Sequence, residues 1–204
     1  MASFAPAERV PLRDGTEVTV RPVEPADREA IRASFEQMGP DSRYKRFLSP
    51  MSVLTEAQLD YLTQVDHHDH EALVAIVDGV GVGVARYVRL EHDGPCAEVA
   101  VAVIDDWQGR GLGSALLDRL SRRAREDGVE TFTAAVLAEN HIVIDLLRRL
   151  GSTTTSSSGT GQMDLEIALE GDSLSELMHH AASGAMQFAE RIRTWRPGRG
   201  PLAP

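Results

Sequence analysis

Apolar positions change period several times along this chain, and each change marks an element. Glu17-Val-Thr-Val-Arg-Pro-Val23 alternates and follows the tight-turn dipeptide Asp14-Gly15, which predicts a strand after a short hairpin within Val10 to Val23. Pro25 then opens a helix whose Ile31, Phe35 and Met38 share one face and which Gly39-Pro40 stops. From Asp41 to Met51 no clean period survives, so the basic and aromatic segment Ser42-Arg-Tyr-Lys-Arg-Phe-Leu-Ser49 is expected to be a loop or short turn. Thr55 with Gln58 forms the signature of a capping box, with Leu54 placed to staple Leu59 on a helix running to about Gln64. Glu71 to Val77 and Val80 to Leu90 are apolar runs joined by Asp78-Gly79, a hairpin in which Gly81 and Gly83 mark a bulge or close packing.

The remaining elements are organised around Ala97 to Gly151. An alternating run, Ala97 to Ile104, feeds into Gln108-Gly109-Arg110-Gly111-Leu112-Gly113, and a helical pattern leaves it at Leu112, Leu116, Leu117, Leu120 and Ala124. Strand, glycine loop and helix in that order make an anion site, because the first N–H groups of a helix lack partners and sit at its positive end. The loop fails the nucleotide P-loop pattern, which needs Gly-Lys-Ser/Thr. It also fails the dinucleotide fingerprint, since position 114 is Ser and no acidic partner follows on the strand Thr131 to Leu137. A helix from about Asn140 carries Ile142, Leu146, Leu147 and Leu150, and a terminal hairpin is expected around Gly159-Thr-Gly161. Beyond Asp172-Ser173, Leu174, Leu177, Met178, Ala181, Ala185, Phe188, Ala189 and Ile192 line one stripe of a C-terminal helix, which either packs back on the domain or forms a homodimer contact.

Gln108, Gly111 and Gly113 spell Gln-x-x-Gly-x-Gly, and here the sequence resembles the GNAT acyltransferase superfamily. Val101-Ala102-Val103 before the loop, Asp105-Asp106-Trp107 as a bridge, and Leu137-Ala138-Glu139-Asn140 before the next helix follow the order of that superfamily's central motifs. The resemblance implies a GNAT fold, a central mixed, mostly antiparallel sheet flanked by helices, with the domain at residues 1–170; the helical extension that the C-terminal stripe predicts, residues 171–204, lies outside that core. It also implies that acetyl-CoA is the cosubstrate. Its pyrophosphate would be held by Gln108, Gly109, Arg110, Gly111, Leu112, Gly113 and Ser114, and its pantetheine would lie along the backbone of Val101, Ala102 and Val103, with Asn140 counted among the cofactor positions.

Attack by an amine needs a base, since a lysine ammonium of pKa about 10.4 is inert at neutral pH. Glu98 is the only acid between Ala97 and Ile104 and by alternation shares a face with Ala100, Ala102 and Ile104. Partial burial would raise its pKa into a useful range, whereas a solvated carboxylate at the strand start beside Pro95 would have no such role. Ser42-Arg-Tyr-Lys-Arg-Phe47, Val65-Asp66 with His70, and Ala97-Glu98-Val-Ala-Val resemble the GNAT domain of bacterial protein lysine acetyltransferases, and that likeness implies Glu98 as the general base. Leu147 stands where many relatives place a tyrosine that protonates the leaving thiolate. Asp66-His67-His68-Asp69-His70 could be a metal cluster or a polar turn before a strand; no metal is assigned, and His70 is a candidate for the acceptor side.

Composition narrows the partners. Among 204 residues the formal net charge is −10, which disfavours nucleic acid and anionic membranes and suits a cationic amine acceptor, a small molecule or a protein lysine. Lys45 is the sole lysine, either through codon bias toward arginine or because a lysine-acylating enzyme gains by offering few of its own. Cys96 is the only cysteine, so neither an internal disulfide nor a Cys-based zinc cage forms. No signal-like start and no run near the ~18 apolar residues of a membrane span set a cytoplasmic location as the expectation. The reading is an N-acetyltransferase acting by direct attack in a ternary complex; the alternative is a GNAT-like acyl-CoA sensor without turnover.

Overall fold

The computed structural model describes residues 7–157 and 161–169. Eight strands, β1 (Glu8–Pro11), β2 (Glu17–Pro22), β3 (His70–Val77), β4 (Val80–Arg89), β5 (Cys96–Val103), β6 (Thr131–Leu137), β7 (Gly151–Ser157) and β8 (Gln162–Leu169), form one sheet in the order β1-β2-β3-β4-β5-β6-β8-β7. Every neighbouring pair is antiparallel except β5 with β6, giving the mixed, mostly antiparallel sheet that the sequence implied. Five helices flank it: α1 (Arg28–Gln37), α2 (Pro40–Phe47), α3 (Glu56–Thr63), α4 (Leu112–Glu126) and α5 (His141–Arg148).

Period-2 alternation divides the strands between two cores. Leu73, Ala85, Tyr87, Ala97 and Val99 pack with Leu116, Leu117 and Leu120 of α4 and Ile144 and Leu147 of α5. Ala72 and Val74 on the other face pack with Ile31, Phe35, Leu54 and Leu59. Thr55 accepts from the Gln58 N–H while the Gln58 side chain returns to the Thr55 N–H at 2.8 Å, so the expected capping box starts α3. In the β3–β4 hairpin Ala75 pairs with Gly83 but Ile76 with Gly81; Val82 is the extra residue of the bulge that the two glycines marked.

The segment after Gly39 corrects the sequence reading, because Pro40–Phe47 is a helix rather than a loop. Its residues show no apolar period because neighbouring backbone, not an apolar stripe, holds it. Pro40 takes the first turn, where a missing N–H costs nothing. Arg43 donates to the carbonyls of Phe35, Glu36 and Ser52 at 3.0–3.1 Å, and Leu48 closes the helix with φ 52°. The expected C-terminal helix, with its dimer contact, and the tip of the β7–β8 hairpin lie outside the described residues. Among those described, no helix is long and apolar enough to cross a membrane.

Candidate active site

β5 and β6 pair at only three positions, Cys96 with Thr131, Ala97 with Phe132 and Glu98 with Thr133. Beyond them β5 stays with β4 through Val103, and β6 stays with β8 through Leu137, so the two middle strands part into a V with Glu98 at its apex. From Val99 to Val103 the β6-facing edge of β5 carries no strand partner, and Val101, Ala102 and Val103 are half-buried along it. Unpaired strand backbone can receive an extended ligand as an added strand.

The open end of the V meets the glycine loop. Gly109 and Gly111 have φ of 75° and 92°, conformations open to glycine, and Gly111 caps α4, whose first N–H groups therefore turn outward. Gly113 lies inside the helix for another reason: a Cβ there would meet Leu146 Cδ1 at 3.2 Å, so its absence lets α5 pack close. Leu112 points its side chain into the core, leaving only its backbone for a ligand, and Ser114 is half-buried in the first turn. The Gln108 amide lies 3.1 Å from both the Val103 carbonyl and Asp105 Oδ1, tying loop to strand end. Asn140 is the N-cap residue of α5 without a side-chain cap bond.

Two arginines flank this loop. Arg110 stacks 4.7 Å above the Trp107 ring and faces Asp14 at 3.4 Å. Arg13, which sequence gave no reason to single out, donates its N–H to the Arg110 carbonyl at 3.1 Å and lays its side chain where a Gly111 Cβ would come within 3.2 Å of it. The β1–β2 turn thus brings a second cation to a loop suited to phosphate.

Of the two surroundings the sequence allowed for Glu98, partial burial and solvent, the structure shows the second: its side chain is exposed. Its surroundings are cationic. On the same face, Arg86 stands opposite Ala100, and Val88 opposite Glu98. Arg46 of α2 is pulled down to about 10 by burial and by the Arg86 charge, with Glu98 opposing. Arg86 is 5% exposed and also pulled down by burial, with Tyr61 and Glu98 opposing. Both arginines line a cavity of about 60 Å³ whose other walls include Phe35, Met38, Phe47 and Val84. His70 is buried with its ring 5.2 Å from Tyr61, and burial and then the Arg86 charge push its pKa down to about 3.

The Asp66 to His70 segment is drawn apart by the fold. Asp66 accepts from the His68 and His70 N–H groups at 2.9 Å, and His67 Nδ1 faces Glu71 at 2.8 Å. His68, Asp69 and Asp93 bring ligand-type atoms within 4.8 Å of one another at the surface, but His68 is paired to Asp93 and His92 to Asp69. Asp93 joins through the β4–β5 turn, a partner that local spacing could not show. Leu147 is on the buried face of α5, and being leucine it offers no hydroxyl at that position.

Residues 32–152 match the acetyltransferase (GNAT) family. Over 154 residues, 74% of this chain, the sequence is 37% identical to acetyltransferase Pat of Mycolicibacterium smegmatis, and it spans less than half, 46%, of that relative's length. It is 35% identical over 144 residues, covering 69% of this chain and 77% of the relative, to acetyltransferase PA5475 of Pseudomonas aeruginosa. Among solved structures, the GNAT domain of S. lividans PAT superposes with a TM-score of 0.74 at 34% identity, covering 80% of this chain and 97% of that one.

Proposed function

This chain belongs to the acetyltransferase (GNAT) family, and on that footing we propose that it moves an acetyl group from acetyl-CoA to a primary amine, with Glu98 as general base. The observation that carries the reading is the V between β5 and β6, with a carboxylate at its apex and a glycine loop at its mouth. These residues fit the cosubstrate: an open strand edge suits pantetheine, and the α4 N-terminus with Arg13 and Arg110 nearby suits pyrophosphate. Acetyl-CoA, when bound, supplies an activated carbonyl and a thiolate leaving group. Backbone N–H groups of Val101 to Val103 orient that carbonyl and polarise it. Glu98 takes the amine proton, directly or through one water. With Leu147 in place of a hydroxyl donor, water protonates the departing thiolate, whose pKa near 8.5 asks for little help.

Protein lysine and small amines are both acceptors of this chemistry, and relatives named Pat favour testing lysine peptides first. The buried Leu147 favours the second reading, an acyl-CoA sensor without turnover. Release of free thiol from acetyl-CoA on adding amines and lysine peptides decides between them: release that needs both acceptor and Glu98 supports the transferase, and tight acetyl-CoA binding with no release across the panel supports the sensor.

A further inference from the structure

We propose that Arg86, with Arg46 beside it, forms a carboxylate-binding site in the reaction cleft, so that one of the two reactants carries a free carboxylate besides the group that reacts. Arg86 lies in the middle of β4 and is 5% exposed, yet its NH2 has no hydrogen-bond partner among the described residues. A buried guanidinium without its hydrogen bonds is costly, and structures keep such a group where something else completes it. Tyr61 covers one side of Arg86, its ring 4.4 Å away, and is also its side-chain hydrogen-bond partner, which leaves NH2 as the nitrogen whose N–H groups are uncommitted. A planar fork of N–H groups matches a carboxylate, which it binds through two parallel hydrogen bonds.

Placement decides what the site is for. Arg86 and Arg46 line the same cavity, and the Glu98 charge reaches both. Glu98 is exposed on the sheet face that carries Arg86, so two cations share one carboxylate and an incoming anion restores balance. Among the described residues two further buried nitrogens lack a partner, Arg32 Nε and His70 Nε2, and the His70 ring lies 5.2 Å from Tyr61. The apolar cavity walls and volume of about 60 Å³ fit a short aliphatic stem ending in one carboxylate. Either the acceptor brings it, as a free amino acid would, or the acyl chain does, as succinyl would. The site itself rests on the geometry of Arg86; only the identity of the reactants rests on the transferase reading.

The test has a binding readout and a turnover readout on the full chain. Titration calorimetry with coenzyme A present compares N-acetyl-L-amino acids with their carboxamides, and a second arm compares succinyl-CoA with acetyl-CoA. One arm should show a preference of about 10- to 100-fold for the carboxylate-bearing member, the span of a hydrogen bond to a charged group. Arg86→Met should reduce that preference to within about 3-fold while coenzyme A still binds, and Arg86→Lys should keep part of it. Arg46→Met supplies the same comparison should Arg86→Met fail to fold. No preference beyond about 3-fold in either arm, or a preference that survives both Met variants, overturns the site. Carboxylate binding without thiol release from any amine leaves the site standing and removes the transferase; release with amides as good as acids, and no binding preference, does the reverse.

Discussion

Arg123 of α4 reaches Glu71 of β3, a side chain with no solvent exposure, and its Nε lies 2.9 Å from Glu71 Oε2. The other oxygen, Oε1, accepts the Ala72 N–H at 2.8 Å and faces His67 Nδ1 at 2.8 Å. This buried pair fastens to the sheet the helix that follows the glycine loop, so a charge interaction helps hold the loop's helix in place.

Arg123→Ala should therefore cost about 3–5 kcal/mol, because it strands a buried carboxylate. Replacing both partners by apolar residues of similar volume, Glu71→Met with Arg123→Leu, should cost much less than the single change. Urea unfolding of the single and double variants checks this; equal losses would mean that lost packing, and not the charge, dominates.

Acetyl-CoA should raise the melting temperature, and Gly111→Glu should abolish the rise. The variant places a side chain at φ 92°, against Arg13, and adds negative charge where a pyrophosphate is expected. Thermal shift across an acetyl-CoA titration measures it. A full shift in the variant would move the cosubstrate's phosphates away from this loop.

Glu98→Gln keeps the shape of the apex but removes the basic site. Acetyl-CoA binding should persist while turnover at neutral pH falls by roughly 10²-fold. The residual rate should climb with pH as free amine accumulates toward a lysine pKa of about 10.4, whereas the wild type levels off earlier. Near-normal turnover of the variant at neutral pH would make Glu98 a bystander.

His70 gives stability an acid limb. Burial, then the Arg86 charge, lower its folded pKa to about 3, so the folded protein holds it neutral while the unfolded chain takes up a proton near pH 6.5. Between those values the unfolded state binds more protons, and stability falls as pH drops, by up to about 1.4 kcal/mol per pH unit for one such group. His70→Gln should flatten this limb. Coincident limbs for wild type and variant, from unfolding free energies at pH 4 to 7, would show that His70 titrates in place.

How much of this was legible in sequence followed from how local each cause was. The capping box at Thr55 and Gln58, the bulge at Gly81 and Gly83 and the loop at Gly109 and Gly111 each rest on residues a few positions apart, and each formed where expected. α2 was illegible because carbonyls of other segments, reached by Arg43, hold it. Glu71 passed as the first residue of an apolar strand because Arg123 lies 52 positions away. Arg86 had one faint signal, a charge in the interior of a strand whose first six residues are all small or apolar, and Arg13 had none. Glu98 was placed correctly on its strand, but its exposure depends on where β6 leaves β5, which no local pattern encodes.

The parting of β5 from β6 has a consequence for the ligand-free protein as a material. Strand backbone without a partner is a template for another chain, and natural sheets usually shield such edges at their margins. Here the bare edge lies mid-sheet, where β6 walls off one side and only a narrow extended segment can enter. The acyl-CoA proposed to lie there would act as a plug, so concentrated stocks held without it should be the first to gel or precipitate through strand-to-strand association.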